Sequence, residues 1–369
     1  MSQLQPHARR SVPHRGARSP ARASSRRRAS AVGALLASLV AIGAVVVATL
    51  GLLRDHDGAQ RSTRAKPHRH ATAGPVANLT AVGKLASAVS GAAVVPDGSR
   101  GATFFGGLDT ASTPIATIQS FDGGTTSSPG TLPVPLAASG AAVLDGATYL
   151  FGGSETTLPT SDIVSIPSGA SSSTIAGSLP QPTEGAAVAA SGSTAYVIGG
   201  YDGTSDLDSI VSWSTSAGAS TVASLPQPVV DAAAVADDGA IYVIGGADGG
   251  AAIFAIYRFD PATRSVTKVG ELPIALTQPA AAVEGGRIIV LGGYRAVGVN
   301  QSSAVYSFTP ATAQVKLIGL LPVRLAGAMA ISLPGEILLA GGVEPDGQTS
   351  STIYRVELAS RSATAGTSG

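Results

Sequence analysis

The sequence predicts an all-β ring of six blades, each a four-stranded sheet, and three observations carry that prediction. Paired glycines close a hydrophobic run at Gly106-Gly107, Gly152-Gly153, Gly199-Gly200, Gly245-Gly246, Gly292-Gly293 and Gly341-Gly342, with spacings of 46, 47, 46, 47 and 49 residues. A Leu-Pro pair keeps the same beat at Leu132-Pro133, Leu179-Pro180, Leu225-Pro226, Leu272-Pro273 and Leu321-Pro322, with Leu85-Ala86 in phase at the start. The 46 Gly and 23 Pro of the chain, set against 4% aromatics, suit many short strands and turns better than long helices. A fixed period of this length marks a repeated supersecondary unit that buries its core only against its neighbours.

Each period holds four strand signals. The first is a run of small residues such as Ala186-Ala187-Val188 or Ala280-Ala281-Ala282-Val283. The second enters the glycine pair, as in Tyr149-Leu150-Phe151, Tyr196-Val197-Ile198 and Tyr242-Val243-Ile244. The third places a bulky residue three positions after an aliphatic one, at Ile118/Phe121, Ile163/Ile166, Ile210/Trp213, Ile256/Phe259, Val305/Phe308 and Ile353/Val356, a spacing that suggests a kink within the strand. The fourth is short and polar, as in Val266-Thr267-Lys268-Val269. Small side chains fit where inner strands crowd an axis, and larger ones fill the gap as blades splay outward.

The phase also predicts how the ring closes. The last period stops after a third strand, Ile353 to Leu358, while Asn78 to Leu85 resembles the fourth-strand stretch Ser265 to Leu272. Residues 77–85 are therefore expected to complete the final blade, which leaves no open edge. The propeller then spans 77–358, with 359–369 as a disordered tail.

The amino-terminal part has a different composition. Residues 31–53 run without a charge, long enough at about 1.5 Å per residue to cross a bilayer core as a helix. Eight arginines precede this run, including Arg26, Arg27 and Arg28. The charge bias predicts a single-pass signal-anchor with 1–30 as a disordered cytoplasmic tail and everything after Leu53 outside the cytoplasm. A cleaved signal peptide is the rival reading, although the apolar run is long for one. Residues 54–76 read as a flexible linker.

Of 24 Lys and Arg and 23 Asp and Glu in the chain, 13 basic and two acidic residues fall in 1–76, so the remainder is acidic, with 11 basic against 21 acidic. An acidic propeller is a poor nucleic-acid partner, because such binding needs cations to neutralise phosphates. Nucleic acid is therefore excluded as a partner, and the lipid bilayer is expected through 31–53.

The segments YVIGGYDG at 196–203, YVIGGADG at 242–249 and IYRFDP at 256–261 resemble kelch repeats, as do the third-strand residues Tyr257, Tyr306 and Tyr354. The likeness covers about three-quarters of the chain, from 77 to 358. It departs from the family in the fourth strand, where kelch repeats usually carry a Trp. The resemblance implies a kelch-type propeller, and kelch domains are mostly interaction platforms.

Chemistry is restricted by what is missing. The chain has no Cys, and all five His precede residue 71, so 77–358 holds neither. A histidine base, thiol catalysis and a His/Cys metal site are excluded there, as is the copper chemistry of galactose oxidase, a propeller related to kelch proteins. No cofactor and no metal are expected. The loops before each first strand and after each glycine pair emerge on one face. They offer Glu184, Asp231, Gln278 and Arg324 in the first set and Tyr201, Asp202, Tyr294, Arg295 and Glu344 in the second. The expected function is a membrane-tethered scaffold that binds a protein or an envelope glycan through this face. The alternative is a carbohydrate-active enzyme, a glycan hydrolase or epimerase working with carboxylates such as Glu184 and Asp231.

Overall fold

A computed structural model describes residues 77–358 except 157 and 169–171. The tails 1–30, 54–76 and 359–369 and the apolar run 31–53 lie outside the described residues. Among those described, no helix is long and apolar enough to cross a membrane. The only helical element described is a single 3₁₀ turn, Pro310–Thr312.

Six four-stranded antiparallel sheets make up the blades, five of them laid down in chain order from the inside outward. Blade one comprises Ala93–Asp97, Gly101–Phe105, Thr117–Phe121 and Thr126–Thr131; blade two Gly140–Leu144, Ala147–Phe151, Asp162–Pro167 and Thr174–Ser178. Blade three comprises Ala187–Ser191, Thr194–Ile198, Ser209–Ser214 and Gly218–Ser224; blade four Ala233–Asp237, Ala240–Ile244, Ala255–Asp260 and Ser265–Glu271. Blade five comprises Ala280–Glu284, Arg287–Leu291, Ala304–Thr309 and Gln314–Leu320. Blade six takes Met329–Leu333, Glu336–Ala340 and Thr352–Leu358 from the end of the chain and Ala77–Lys84 from the beginning. Ala77 pairs with Leu358 and Lys84 with Thr352, with a bulge between Ala81 and Gly83. The innermost strands touch their neighbours all the way round, blade six meeting blade one.

The apolar core is divided into six clusters, one at each interface between adjacent blades. This division corrects the reading of the third strand. No kink separates Ile210 from Trp213; the pairing with the second strand runs unbroken, Ala195 to Trp213 and Ile198 to Ile210. A spacing of three puts the two residues on opposite faces, and both faces are buried. Ile210 packs toward blade four, while Trp213 packs toward blade two against Tyr149 and Phe151, with ring centroids 4.5 and 5.5 Å away. Phe259 and Phe308 repeat the arrangement against Tyr196 and Tyr242 at 5.3 and 6.0 Å. The irregularity sits one strand farther out, where the fourth strand bulges, as between Ile256 and Tyr257 of its partner.

That bulge explains the missing fourth-strand Trp. Opposite the first aliphatic residue of each third strand stand Gly130, Gly177, Ala223, Gly270, Gly319 and Gly83. A Cβ on Gly83 would stand 3.0 Å from the Phe121 ring, and one on Gly270 3.2 Å from Phe308. At Gly83, Gly177 and Gly270 the fourth strand carries no side chain where the next blade's aromatic fills the seam.

The paired glycines join blade to blade. The first has a left-handed backbone, φ +63° at Gly199, and a Cβ there would run into the Val229 carbonyl on the connection to the next blade. The second, Gly200, donates its N–H to that same carbonyl at 2.8 Å. The contact recurs at every seam, ending with Gly342 donating to Val89 at 2.9 Å, which binds blade six to blade one.

Candidate functional site

Two sets of connections reach the same end of the propeller: those that lead into each first strand and those that follow each glycine pair. The second set is long, for example Tyr201 to Asp208 between strands of blade three. In blades four and five it rises into two-stranded ribbons, Ala247–Asp248 with Ala251–Ala252 and Tyr294–Ala296 with Val299–Gln301. Turns at the other end are tight, such as Ser191 to Thr194 and Asp237 to Ala240. Ala77 and Leu358 also lie at that other end, where each third strand finishes and each fourth begins. The chain thus enters and leaves the described domain on the face opposite the long loops.

At the centre of the loop face the backbone forms a closed ring. Gly91 N–H donates to the Gly327 carbonyl, Ala138 to Gly91, Gly185 to Ala138, Asp231 to Gly185, Gln278 to Asp231, and Gly327 to Gln278, at 2.8 to 3.3 Å. All six residues have a left-handed backbone, with φ between +50° and +63°. Each N–H therefore turns sideways to the preceding blade instead of along its own strand. Glycine takes this conformation at no cost, whereas Ala138, Asp231 and Gln278 carry side chains there at a strain of roughly 1 kcal/mol each.

Asp231 and Gln278 stand next to each other on this ring, and Gln278 Nε2 donates to Asp231 Oδ2 at 2.9 Å. Burial among the surrounding loops pushes the Asp231 carboxyl up to about 6; the Gln278 hydrogen bond opposes the shift, and the charges of Glu184 and Asp206 add to it. Glu184 precedes the ring residue of blade three, and its backbone pairs with Tyr201. The two carboxylates singled out from the sequence are thus electrostatic neighbours across one seam. Asp206, which the sequence reading passed over, joins them: its Oδ2 also accepts from Gly249 N–H at 2.8 Å, linking the loops of blades three and four. Nothing in the local sequence sets Asp206 apart from an ordinary turn acid.

The other sequence candidates have different placements. Tyr294 is buried, with 7% of its surface exposed, and pairs through its backbone with Thr277. It is therefore a wall of the site and not a projecting contact; burial and the Asp231 charge raise its hydroxyl pKa. Asp202 is held in its own turn, its Oδ1 accepting from Thr204 and Ser205 N–H at 2.7 and 2.8 Å. Asp122 does the same toward Gly124 and Thr125, and these bonds hold its carboxyl below the usual range. Arg295, on the blade-five ribbon, and Arg324 are exposed. Tyr201 is half-buried. Among the described residues, no group of three His, Cys, Asp or Glu side chains is arranged to hold a metal ion.

Comparison with known proteins agrees with this architecture. The model of the kelch motif family matches residues 228–273, which is blade four with the connection into it. No curated protein matches the chain. Among solved structures, one described as the structure of YjhT superposes with a TM-score of 0.65 at 16% identity, covering 74% of this chain and 95% of that one. At that identity the likeness shows the fold alone. The described domain is a six-bladed β-propeller of kelch type.

Proposed function

We propose that this protein is a scaffold held at a membrane through residues 31–53, with its propeller outside the cytoplasm and its loop face engaged by a protein partner. The observation that carries the reading is the division of labour between the two ends. Long loops that differ from blade to blade gather at one end, whereas tight turns and both chain ends occupy the other. Binding residues concentrate on loops that a rigid scaffold positions, and here the described domain begins and ends at the opposite face. The kelch-type fold supports an interaction role, although the fold does not choose the ligand.

Crosslinking with mass spectrometry on intact membranes tests the proposal. A captured protein whose yield falls in Tyr201→Ala and Arg324→Ala, at unchanged melting temperature, supports it. Undiminished capture by both variants rules out this face. Protease added to intact cells reports which side of the membrane the propeller occupies.

A second reading, acid–base work on a glycan, is favoured by the proximity of Glu184 to Asp231 and by the raised Asp231 pKa. Glycan turnover by the purified protein, lost in Glu184→Gln and Asp231→Asn, would establish it in place of binding.

A further inference from the structure

The closed backbone ring leaves a side-chain pattern that its symmetry does not require. Only Ala138, Asp231 and Gln278 project from it; the other three positions are Gly91, Gly185 and Gly327. The Gln278 amide nitrogen is committed to Asp231 Oδ2. Its oxygen therefore turns the other way, over Gly327, where a Cβ would meet it at 3.1 Å. Asp231 Oδ1 stands over Gly185, 2.9 Å from where a Cβ there would be. Two acceptor oxygens thus overlie ring positions that carry no side chain of their own.

Nothing in the described residues neutralises them. The groups that face Asp231 are Glu184 from blade three, Asp206 from the loop of the same blade, and the Tyr294 hydroxyl from blade five. The ion pairs of the described residues, Arg258–Asp260, Lys268–Glu271 and Arg355–Glu336, lie on the blades elsewhere.

A buried hydroxyl lies one residue from Gln278. At two seams the residue before the ring residue turns toward the ring residue of the preceding blade. Val230 Cγ2 lies 2.9 Å from the Cβ position of Gly185, and Ser90 Cβ lies 3.8 Å from that of Gly327. Thr277 precedes the ring residue Gln278 in the same way, is 1% exposed, and its Oγ1 has no hydrogen-bond partner. It is an unpaired buried polar group on the segment that carries Gln278.

We propose that the axial mouth of the loop face recognises an ammonium or guanidinium group, the head of a Lys or Arg side chain on the partner protein, with Asp231 Oδ1 and Gln278 Oε1 as its acceptors. The inference rests on the reading that this face binds a protein. A dehydrated divalent cation is disfavoured, because the described residues assemble no set of three metal-ligating side chains. An organic cation needs only a carboxylate and a few oriented acceptors.

The test uses the full-length protein with butylammonium, butylguanidinium and, as the neutral control, butanol. At pH 7.5 at least one cation raises the melting temperature and binds by calorimetry, and butanol does neither. Asp231→Asn, whose side chain tolerates the left-handed backbone, weakens cation binding about tenfold or more, and Glu184→Gln weakens it less. Binding also fades as pH falls through about 6, where Asp231 takes up its proton. Equal effects of butanol and the cations, or full affinity in Asp231→Asn, overturn the proposal. If partner capture depends on Tyr201 and Arg324 but not on Asp231, the loop-face reading stands and the cation site falls; if it depends on none of them, both fall.

Discussion

The seams between blades and the ring at the axis are both built from the same sixfold repeat, yet they treat it differently. At the seams the repeat holds in backbone and side chain alike: a glycine pair, a carbonyl on the next connection, and an aliphatic and a bulky residue on opposite faces of the third strand. At the axis it holds in the backbone alone. Six left-handed residues form the same hydrogen bond, but three are glycines and the others are Ala138, Asp231 and Gln278. Seams have one task, to exclude water and close the circle, so any departure costs stability. At the axis, polar side chains sit at an energetic cost. Strain and a raised carboxyl pKa are tolerated where function requires them.

The contrast yields predictions of decreasing size. Removing residues 77–84 deletes the outer strand of blade six and exposes the Thr352–Leu358 edge, so cooperative thermal unfolding should be lost. A truncated protein that melts as the intact one does would show that the seams do not depend on closure.

Truncating a seam aromatic comes next. Trp213→Ala or Phe121→Ala empties a fully packed interface and should cost about 3–5 kcal/mol by denaturant unfolding. Glycine substitutions then separate steric from conformational cost. Gly199→Ala places a methyl against the Val229 carbonyl at φ +63°, whereas Gly249→Ala meets nothing at φ +56°. The first should cost roughly 3 kcal/mol or more and the second about 1 kcal/mol. Equal losses would mean that the seam backbone yields easily.

Asp231→Asn should act in the opposite direction. The native carboxyl takes its proton at about 6, against 3.8 for the ordinary group, so the folded state holds an extra proton between those values. Stability contributed by this residue therefore falls as pH rises from about 4 to about 6 and is level above that. The amide removes the penalty, so the variant should be more stable by on the order of 2 kcal/mol at pH 7.5 and indistinguishable near pH 4. A variant less stable at pH 7.5 would show that the carboxylate serves the ring and not a ligand. Arg324→Ala, on an exposed loop, should change stability by less than about 0.5 kcal/mol.

Much of the architecture was legible because its markers are local. The glycine pairs and Leu-Pro steps keep phase over the whole propeller, and Asn78 to Leu85 reads like an interior fourth strand. The bulge glycines were equally present, as Gly177-Ser178-Leu179-Pro180 and Gly270-Glu271-Leu272-Pro273, but their role depends on an aromatic in the following repeat. The candidate site was legible in part. Asp231, Gln278 and Glu184 fall on one face because of their phase in the repeat. Tyr294, in the loop after a glycine pair, emerges on the same face and is nevertheless buried, and Asp206 does not stand out in the sequence at all.

The chain by itself determined the number of blades, their strand order and the face that carries variable chemistry, because a repeat encodes each of these within its own span of residues. Only the folded circle decided which side chains meet. Gln278 reaches Asp231 across 47 positions of sequence, and Trp213 packs against Tyr149 and Phe151 of the preceding blade. Contacts between repeats depend on the curvature at which the ring closes, and that curvature is set by how all the seams pack together.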